Sequence, residues 1–267
     1  MTDQPATGPA PGPVPSGADL PDAVTVERAD APGPFLIVCE HAANAFPAPW
    51  GDLGLDDAQR RAHVAWDPGA LGLARGLARR LDAPLIAASL SRLIYDLNRP
   101  PHSPGAMAER SEIHMIPGNA GLTAAQRVAR TEAVYLPFHA RLRAEIARRL
   151  ARGQRPVLVT VHSFTPVYNG IARTVEFGVI HDADARLAQA VLAEAAARTT
   201  LDTRLNEPYS AADEVTHTLA LQATPMGLAN VMLEIRNDLI ATRAAQDAMA
   251  ETLAPVLTGA LGRIGGA

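Results

Sequence analysis

The sequence predicts an α/β protein in which a mostly parallel sheet is covered by helices on both faces. Three apolar runs, Phe35–Cys39, Val157–Val161 and Leu228–Leu233, have the length and the Val/Ile/Leu/Phe content of strands buried on both faces. Segments of helical spacing separate them, the alternation that builds a parallel sheet. Each run also leads into polar residues: Glu40-His41, His162-Ser163 and Glu234-Ile235-Arg236. Ligands of open α/β sheets sit outside the carboxyl ends of the strands, so these residues mark a candidate site. Histidines at two such ends and a glutamate at a third point to a metal-assisted hydrolase more than to a binding scaffold.

In chain order, Pro34–Cys39 reads as a strand, Asp56–Trp66 and Gly69–Leu81 as helices, Pro84–Ala88 as a strand and Arg92–Leu97 as a further short strand. Helical spacing returns over Thr123–Arg152, after turn residues at 119–122 and with Thr123 as N-cap. The Val157 strand follows, then a strand at Val175–Ile180, helices at Ala183–Thr199 and Ala211–Ala223, the Leu228 strand and a last helix over Leu239–Leu261. No internal repeat or linker divides residues 31–267, which read as one domain. Residues 1–30 read as a Pro/Gly/Ala-rich tail, expected to be mobile; Met1–Asp22 has no lysine, no arginine and no apolar core, which argues against a secretory signal.

Composition narrows the function. A chain of 267 residues with 48% hydrophobic content can build a sizeable core. With 24 basic against 28 acidic residues and no Lys/Arg block, nucleic acid is not the expected partner. Cys39 is the single cysteine, so no internal disulfide and no CxxC pair can form, and cytoplasm is the default compartment. No apolar stretch approaches the roughly 18–20 residues needed to span a bilayer, so no membrane association is expected.

Among the eight histidines, His41 and His162 follow buried-strand patterns, where a polar group is costly unless hydrogen-bonded or coordinated. His63 and His139 lie within helical patterns and read as packing or capping residues; His102, His114, His181 and His217 fall in or near loops. Asp67 precedes Pro68-Gly69 and is either a site carboxylate or the N-cap of the helix that starts there. Glu40 could serve the site too, but neighbours on an extended strand face opposite ways, which ranks it below Asp67. Glu234 suits a general base, because partial burial raises a carboxyl pKa towards the working pH; the alternative is an ion pair with Arg236. Between Ser91 and Pro100, Arg92, Asp96, Asn98 and Arg99 alternate with apolar residues. An arginine fork with an adjacent amide binds a carboxylate, so the implied partner is a small anionic molecule, and Asp96 reads as an internal partner of an arginine.

Glu40-His41-Ala42, the segment from His63 to Ala70, the segment from Ser91 to Pro100, Ile116-Pro117-Gly118-Asn119, His162-Ser163-Phe164-Thr165-Pro166, Asn206-Glu207-Pro208-Tyr209-Ser210 and the segment from Glu234 to Leu239 together resemble the N-formylglutamate amidohydrolase family, over residues 35–245. The resemblance implies a three-layer α/β/α fold with a mostly parallel mixed sheet, similar to zinc carboxypeptidases and aspartoacylases. It implies Zn2+ or another divalent metal held by His41, His162 and a carboxylate, Asp67 with Glu40 in reserve. It implies Glu234 as the catalytic base and Asn98 and Arg99 as the substrate-carboxylate clamp; in the mechanism expected from that set, Arg92 is an oxyanion donor and Arg236 a second clamp or the residue that orients Glu234. The reaction it implies is hydrolysis of the amide bond of an N-acyl acidic amino acid such as N-formylglutamate.

Two departures stand out. Relatives carry a glutamate three residues after the first histidine, where this chain has Asn44, and many members carry a His-Ala pair where this chain has Leu221-Gln222-Ala223. They motivate an alternative from another class, a catalytically reduced binding or sensor protein for an acidic acyl-amino acid. A nucleotide-binding reading ranks last, since no GxGxxG or GxxxxGK[ST] segment follows any strand.

Overall fold

In the computed structural model, which describes residues 22–265, the chain forms strands β1 (Val24–Glu27), β2 (Phe35–Cys39) and β3 (Leu85–Ala88), a hairpin of β4 (Arg110–Ser111) and β5 (His114–Met115), and the long β6 (Val157–Phe164). A second hairpin, β7 (Val167–Tyr168) with β8 (Ile171–Ala172), precedes β9 (Phe177–Ile180), β10 (Thr203–Leu205) and β11 (Asn230–Arg236). The helices are α1 (Asp57–Arg61), α2 (Ala70–Arg80), α3 (Ala124–Arg130), α4 (Leu136–Ala151), α5 (Arg186–Arg198), α6 (His217–Gln222) and α7 (Arg243–Arg263). A seven-stranded sheet runs in the order β1-β3-β2-β6-β11-β9-β10. The four strands β3, β2, β6 and β11 are parallel, whereas β1 pairs antiparallel with β3 and β9 antiparallel with β11, so the sheet is mixed but mostly parallel.

The two-residue period of a strand sends alternate side chains to opposite faces. Here both faces are apolar. Phe35, Ile37, Val157, Val159, Val231 and Leu233 pack in one core with Leu73 and Leu77 of α2, Val191 of α5 and Leu253 and Leu257 of α7. Leu36, Val38, Leu158 and Met232 pack in the other with Phe138, Leu142 and Ile146 of α4 and with the connection that carries Leu93, Ile94 and Tyr95. Burial on both sides is the physical reason for the unbroken apolar runs, and each fully buried Leu or Phe contributes roughly 1.5–3 kcal/mol. Three layers result, as expected.

Five sequence expectations change; one is the helix expected over Ala211–Ala223, which is a 3₁₀ turn at Ala211–Asp213, broken at Glu214 with φ +58, followed by α6. The tail reading extends to residue 30, but Val24–Glu27 forms the edge strand β1 in register with Ala88 to Leu85; residues 1–21 lie outside the described residues. The β1 run is too short and too mixed to read as a strand alone, and the open edge of β3 selects it. The expected strand Arg92–Leu97 is a series of turns: the carbonyls of Leu93, Ile94 and Leu97 accept from the side chains of Asn119, Arg130 and His139, at 2.9, 3.2 and 2.9 Å, and not from a neighbouring strand. The helix expected over Asp56–Trp66 stops at Arg61, because Ala62 is extended, and resumes as a 3₁₀ turn at His63–Ala65. Thr123–Arg152 is helical throughout but widens into a π turn at Thr131–Tyr135, next to Pro137, which has no N–H for the regular ladder. No described helix is long and apolar enough to cross a membrane.

Candidate active site

Three chain segments converge at the carboxyl ends of β2, β6 and β11. The Asp67 amide donates to the His41 carbonyl at 2.9 Å. The Ser163 hydroxyl donates to the Pro68 carbonyl at 2.8 Å, and the Ser163 amide donates to Asp67 Oδ2 at 3.3 Å. Asp67 is thus held between the ends of β2 and β6 and does not cap α2, whose N-cap is Gly69. Gly69 has φ +83, and a β-carbon there would run into the Ile240 carbonyl oxygen, so the turn that leaves Asp67 facing the sheet needs glycine. On the neighbouring strand Glu234 stands in register with His162. Gly178 lies across from Glu234 on β9, and an added β-carbon there would press on Glu234 Cβ at 3.1 Å.

His41 Nδ1, His162 Nδ1 and Asp67 Oδ2 form a nearly equilateral triangle with edges of 3.2, 3.2 and 3.0 Å, and all three residues are buried. Ligand atoms of a tetrahedral site with bonds of about 2.0–2.1 Å lie roughly 3.3 Å apart, so the triangle has the dimensions of three metal ligands. The far nitrogens support this. His41 Nε2 lies 2.8 Å from Asp96 Oδ1, and His162 Nε2 stands 3.2 Å from Glu40 Oε2, close but poorly aligned. With Nε2–H turned to those carboxylates, both Nδ1 atoms present lone pairs to each other and to Asp67 Oδ2. Three converging lone pairs need a cation or extra protons. The donor set of two imidazoles and a carboxylate fits a divalent metal of the zinc type. The same convergence sets the titration of the free groups. Burial and Arg92 oppose charge on His41, yet Asp96 and Asp67 raise its pKa; burial opposes charge on His162, yet Glu40 and Asp67 raise its pKa well above the usual histidine value.

Asp67 is therefore the carboxylate of the triangle, and Glu40, the reserve, lies behind His162. Asp96, read as an arginine partner, has a second role behind His41. Its other oxygen accepts from Arg92 Nη2 at 2.7 Å, while Arg92 Nη1 reaches Asp67 Oδ1 at 3.4 Å. Asp67, His41, Asp96 and Arg92 close a ring in which each cationic or imidazole group bridges the two carboxylates. Although burial works against it, that ring holds both carboxyls well below the usual range.

A cavity of about 370 Å³ opens over the triangle, within the usual span for a small-molecule site. Glu234 lines it, buried, with Oε2 unpartnered, and burial pushes its pKa up to about 7. Arg92, Asn98 and Arg99 line it as well. Asn98 is largely committed to the scaffold: Nδ2 donates to the Val215 carbonyl and Oδ1 accepts the Thr218 amide at 2.9 Å. Arg99 Nη1 donates to the Asp213 carbonyl at 2.5 Å, which leaves the rest of its fork. Arg236 is not brought to the cavity. It pairs with Asp238 at 2.8 Å and Glu176 at 3.6 Å and donates to the Thr174 carbonyl, so it neither clamps a ligand there nor contacts Glu234, and the expected Glu234–Arg236 pair does not form. Sequence reasoning set His63 aside, and passed over Tyr168 and Tyr209; all three line the cavity. The signals for His63 were its place four residues before Asp67 and at the head of one of the segments that carry the family resemblance.

The two departures have structural roles. Asn44 Nδ2 donates to the Arg60 carbonyl at 3.0 Å and ties the loop after His41 to the end of α1. Gln222, wholly buried, donates to His139 Nδ1 at 3.2 Å, and His139 Nε2 in turn donates to the Leu97 carbonyl at 2.9 Å. Neither lines the cavity.

The family model for N-formylglutamate amidohydrolase matches residues 33–241. A crystal structure of a gene product from Agrobacterium tumefaciens is 51% identical and aligns with a TM-score of 0.90, over 93% of this chain and 98% of that one. The N-formylglutamate amidohydrolase from Ralstonia eutropha is 20% identical and shares the fold, with a TM-score of 0.61 over 91% of this chain and 97% of that one. No curated protein matches at a significant level.

Proposed function

The chain belongs to the N-formylglutamate amidohydrolase family, and from that membership and the site geometry we propose that it is a metal-dependent hydrolase that cleaves the amide bond of N-acyl acidic amino acids such as N-formylglutamate. The observation that carries this reading is the triangle of His41, Asp67 and His162, open to a cavity that also holds Glu234 and Arg99. A divalent ion, zinc foremost, held by those three residues would supply Lewis-acid polarisation of the acyl oxygen and a water of lowered pKa.

Glu234, with a pKa of about 7, is poised to take a proton from the attacking water and to return it to the departing amine nitrogen as the C–N bond breaks. Its free Oε2 and its burial keep it available for that exchange. Arg92 spends two of its five N–H groups on Asp96 and Asp67 and has others for the developing oxyanion, where one well-placed donor is worth about 3–4 kcal/mol. Arg99 holds a substrate carboxylate, and Asn98 fixes the backbone that presents Arg99. The substrate is a small anion; nucleic acid and membrane have no part in this reading, which places the reaction in the cytoplasm.

Metal-free protein offered N-formyl, N-acetyl and N-succinyl amino acids, with zinc, manganese or cobalt added back, tests it. N-formylglutamate should be hydrolysed only with metal restored. Thermal stabilisation by N-formylglutamate without any product would instead establish the binding-protein alternative.

A further inference from the structure

Arg173 sits in a cage of three aromatic rings at the wall of the cavity. The central carbon of its guanidinium lies 4.5 Å from the ring centroid of Tyr168, 5.0 Å from that of Tyr209 and 5.6 Å from that of Phe164, within the range over which a ring face attracts a cation. Local structure explains the meeting. Phe164 ends β6 two residues past His162, on the same face of the strand. The hairpin of β7 and β8 folds Tyr168 back beside Arg173, whose amide donates to the Pro166 carbonyl at 2.8 Å. Arg173 Nη1 donates to the Tyr209 hydroxyl at 3.1 Å and to the Thr165 carbonyl at 3.4 Å, and among the described residues the guanidinium pairs with no carboxylate. Arg236, by contrast, pairs with both Asp238 and Glu176. Tyr168 and Tyr209 line the cavity, and Arg173 stands behind them.

The charge of the lining gives this cation its importance. Five carboxylates line the cavity, Glu112 and Asp213 among them, against two arginines, Arg92 and Arg99. Arg92 is shared between Asp96 and Asp67, and Arg99 holds one substrate carboxylate in the reading above. An acidic N-acyl amino acid carries two. Of the four hydroxyls that line the cavity, those of Ser111, Ser163, Tyr168 and Tyr209, only that of Tyr209 accepts from a guanidinium. That bond takes a lone pair of the oxygen, polarises the O–H and leaves its proton to donate. Burial and Glu234, with Arg173 opposing, push the Tyr209 pKa up to about 12, so the group remains a donor. We infer that Arg173 is a positioning residue that provides, through the Tyr209 hydroxyl, the positive charge for the second carboxylate of the substrate, the one that Arg99 does not hold. This rests on the amidohydrolase reading. It narrows the preferred substrates to dicarboxylates and gives Arg173 the second-clamp role that the sequence assigned to Arg236.

The test measures kcat/KM of zinc-loaded protein for N-formylglutamate and for two probes that each lack one of its carboxylates, N-formylglutamine and 4-formamidobutanoate. The wild type should prefer N-formylglutamate to each probe by at least about tenfold. Arg173→Gln should lower N-formylglutamate about tenfold, through KM, and bring its ratio to one probe close to one; Arg99→Ala should collapse the ratio to the other. Tyr209→Phe, which keeps the ring in the cage and removes the hydroxyl, should reproduce the Arg173→Gln pattern, and the double variant should lose no more than either single one. Arg173→Lys, which keeps the charge, should recover part of the ratio. No loss or an equal loss on all three substrates in Arg173→Gln, collapse of the same ratio in Arg173→Gln and Arg99→Ala, or unchanged ratios in Tyr209→Phe would overturn the inference. If the wild type hydrolyses all three equally, the amidohydrolase reading stands and this inference falls; if it hydrolyses none, that reading itself fails.

Discussion

The two nitrogens of His41 are divided between two carboxylates: Nδ1 stands 3.2 Å from Asp67 Oδ2 and Nε2 2.8 Å from Asp96 Oδ1. The second contact decides which nitrogen is free to bind a metal, because a carboxylate fixes the proton on the nitrogen that faces it. His162 repeats the arrangement more loosely with Glu40. Asp96→Asn and Glu40→Gln should therefore each weaken metal affinity about 10–100-fold while stoichiometry at saturating zinc stays at one ion per chain. Asp67→Ala should abolish binding. Competition with a chromogenic chelator measures all three, and retention of tight zinc in Asp67→Ala with loss in Glu40→Ala would reverse the assignment of ligand and support.

Glu234→Gln keeps the shape and burial of the side chain but removes the proton acceptor. Turnover should fall about 10²–10⁴-fold while KM for N-formylglutamate changes little. Steady-state kinetics on zinc-loaded protein check this; a matched rise in KM with unchanged turnover would make Glu234 a binding group.

Arg99 and Arg236 separate cleanly. Arg99→Ala should raise KM about 10–100-fold by removing a charge-assisted carboxylate contact. Arg236→Ala should leave KM within about twofold, because its guanidinium is held by Asp238, Glu176 and the Thr174 carbonyl outside the cavity. Kinetics of the two variants side by side would expose a swapped role.

His139 supplies a pH dependence of stability. Burial lowers its pKa to about 4, against 6.5 for the free side chain, so between those values the unfolded chain binds the proton and the folded chain does not. Stability from this group is complete above about pH 6.5 and is lost as pH falls towards 4, by about 3 kcal/mol in all. Urea unfolding of the wild type and of His139→Gln at pH 7 and pH 4.5 should show a smaller acid loss in the variant. Parallel losses would show that His139 titrates normally.

The parts of the fold legible in the sequence are those whose physics is local or strongly patterned. Phe35–Cys39, Val157–Val161 and Leu228–Leu233 announce buried parallel strands because both of their faces are apolar, and the helix starts expected at Asp56 and Thr123 fall within a residue of those observed. What escaped is set by partners distant in sequence. Val24–Glu27 is a strand only because β3 offers an open edge, and Arg92–Leu97 is not one because Asn119 and Arg130 take its carbonyls.

The sequence by itself located the candidate site: two histidines and a glutamate at the carboxyl ends of buried strands, with Asp67, Arg92, Asn98 and Arg99 in the segments that carry the family resemblance. Tertiary structure alone decided how those groups divide the work. The His41 carbonyl and Ser163 hold the turn that carries Asp67, so Asp67 and not Glu40 completes the triangle. Asp96 and Glu40 stand behind the two histidines, Asn98 serves the scaffold, Arg236 turns away and His63 turns in. Most of those outcomes depend on a distance between side chains far apart in the chain, up to the 122 positions that separate Glu40 from His162. Residue types fix what a group can donate or accept, but only packing fixes which partner it meets.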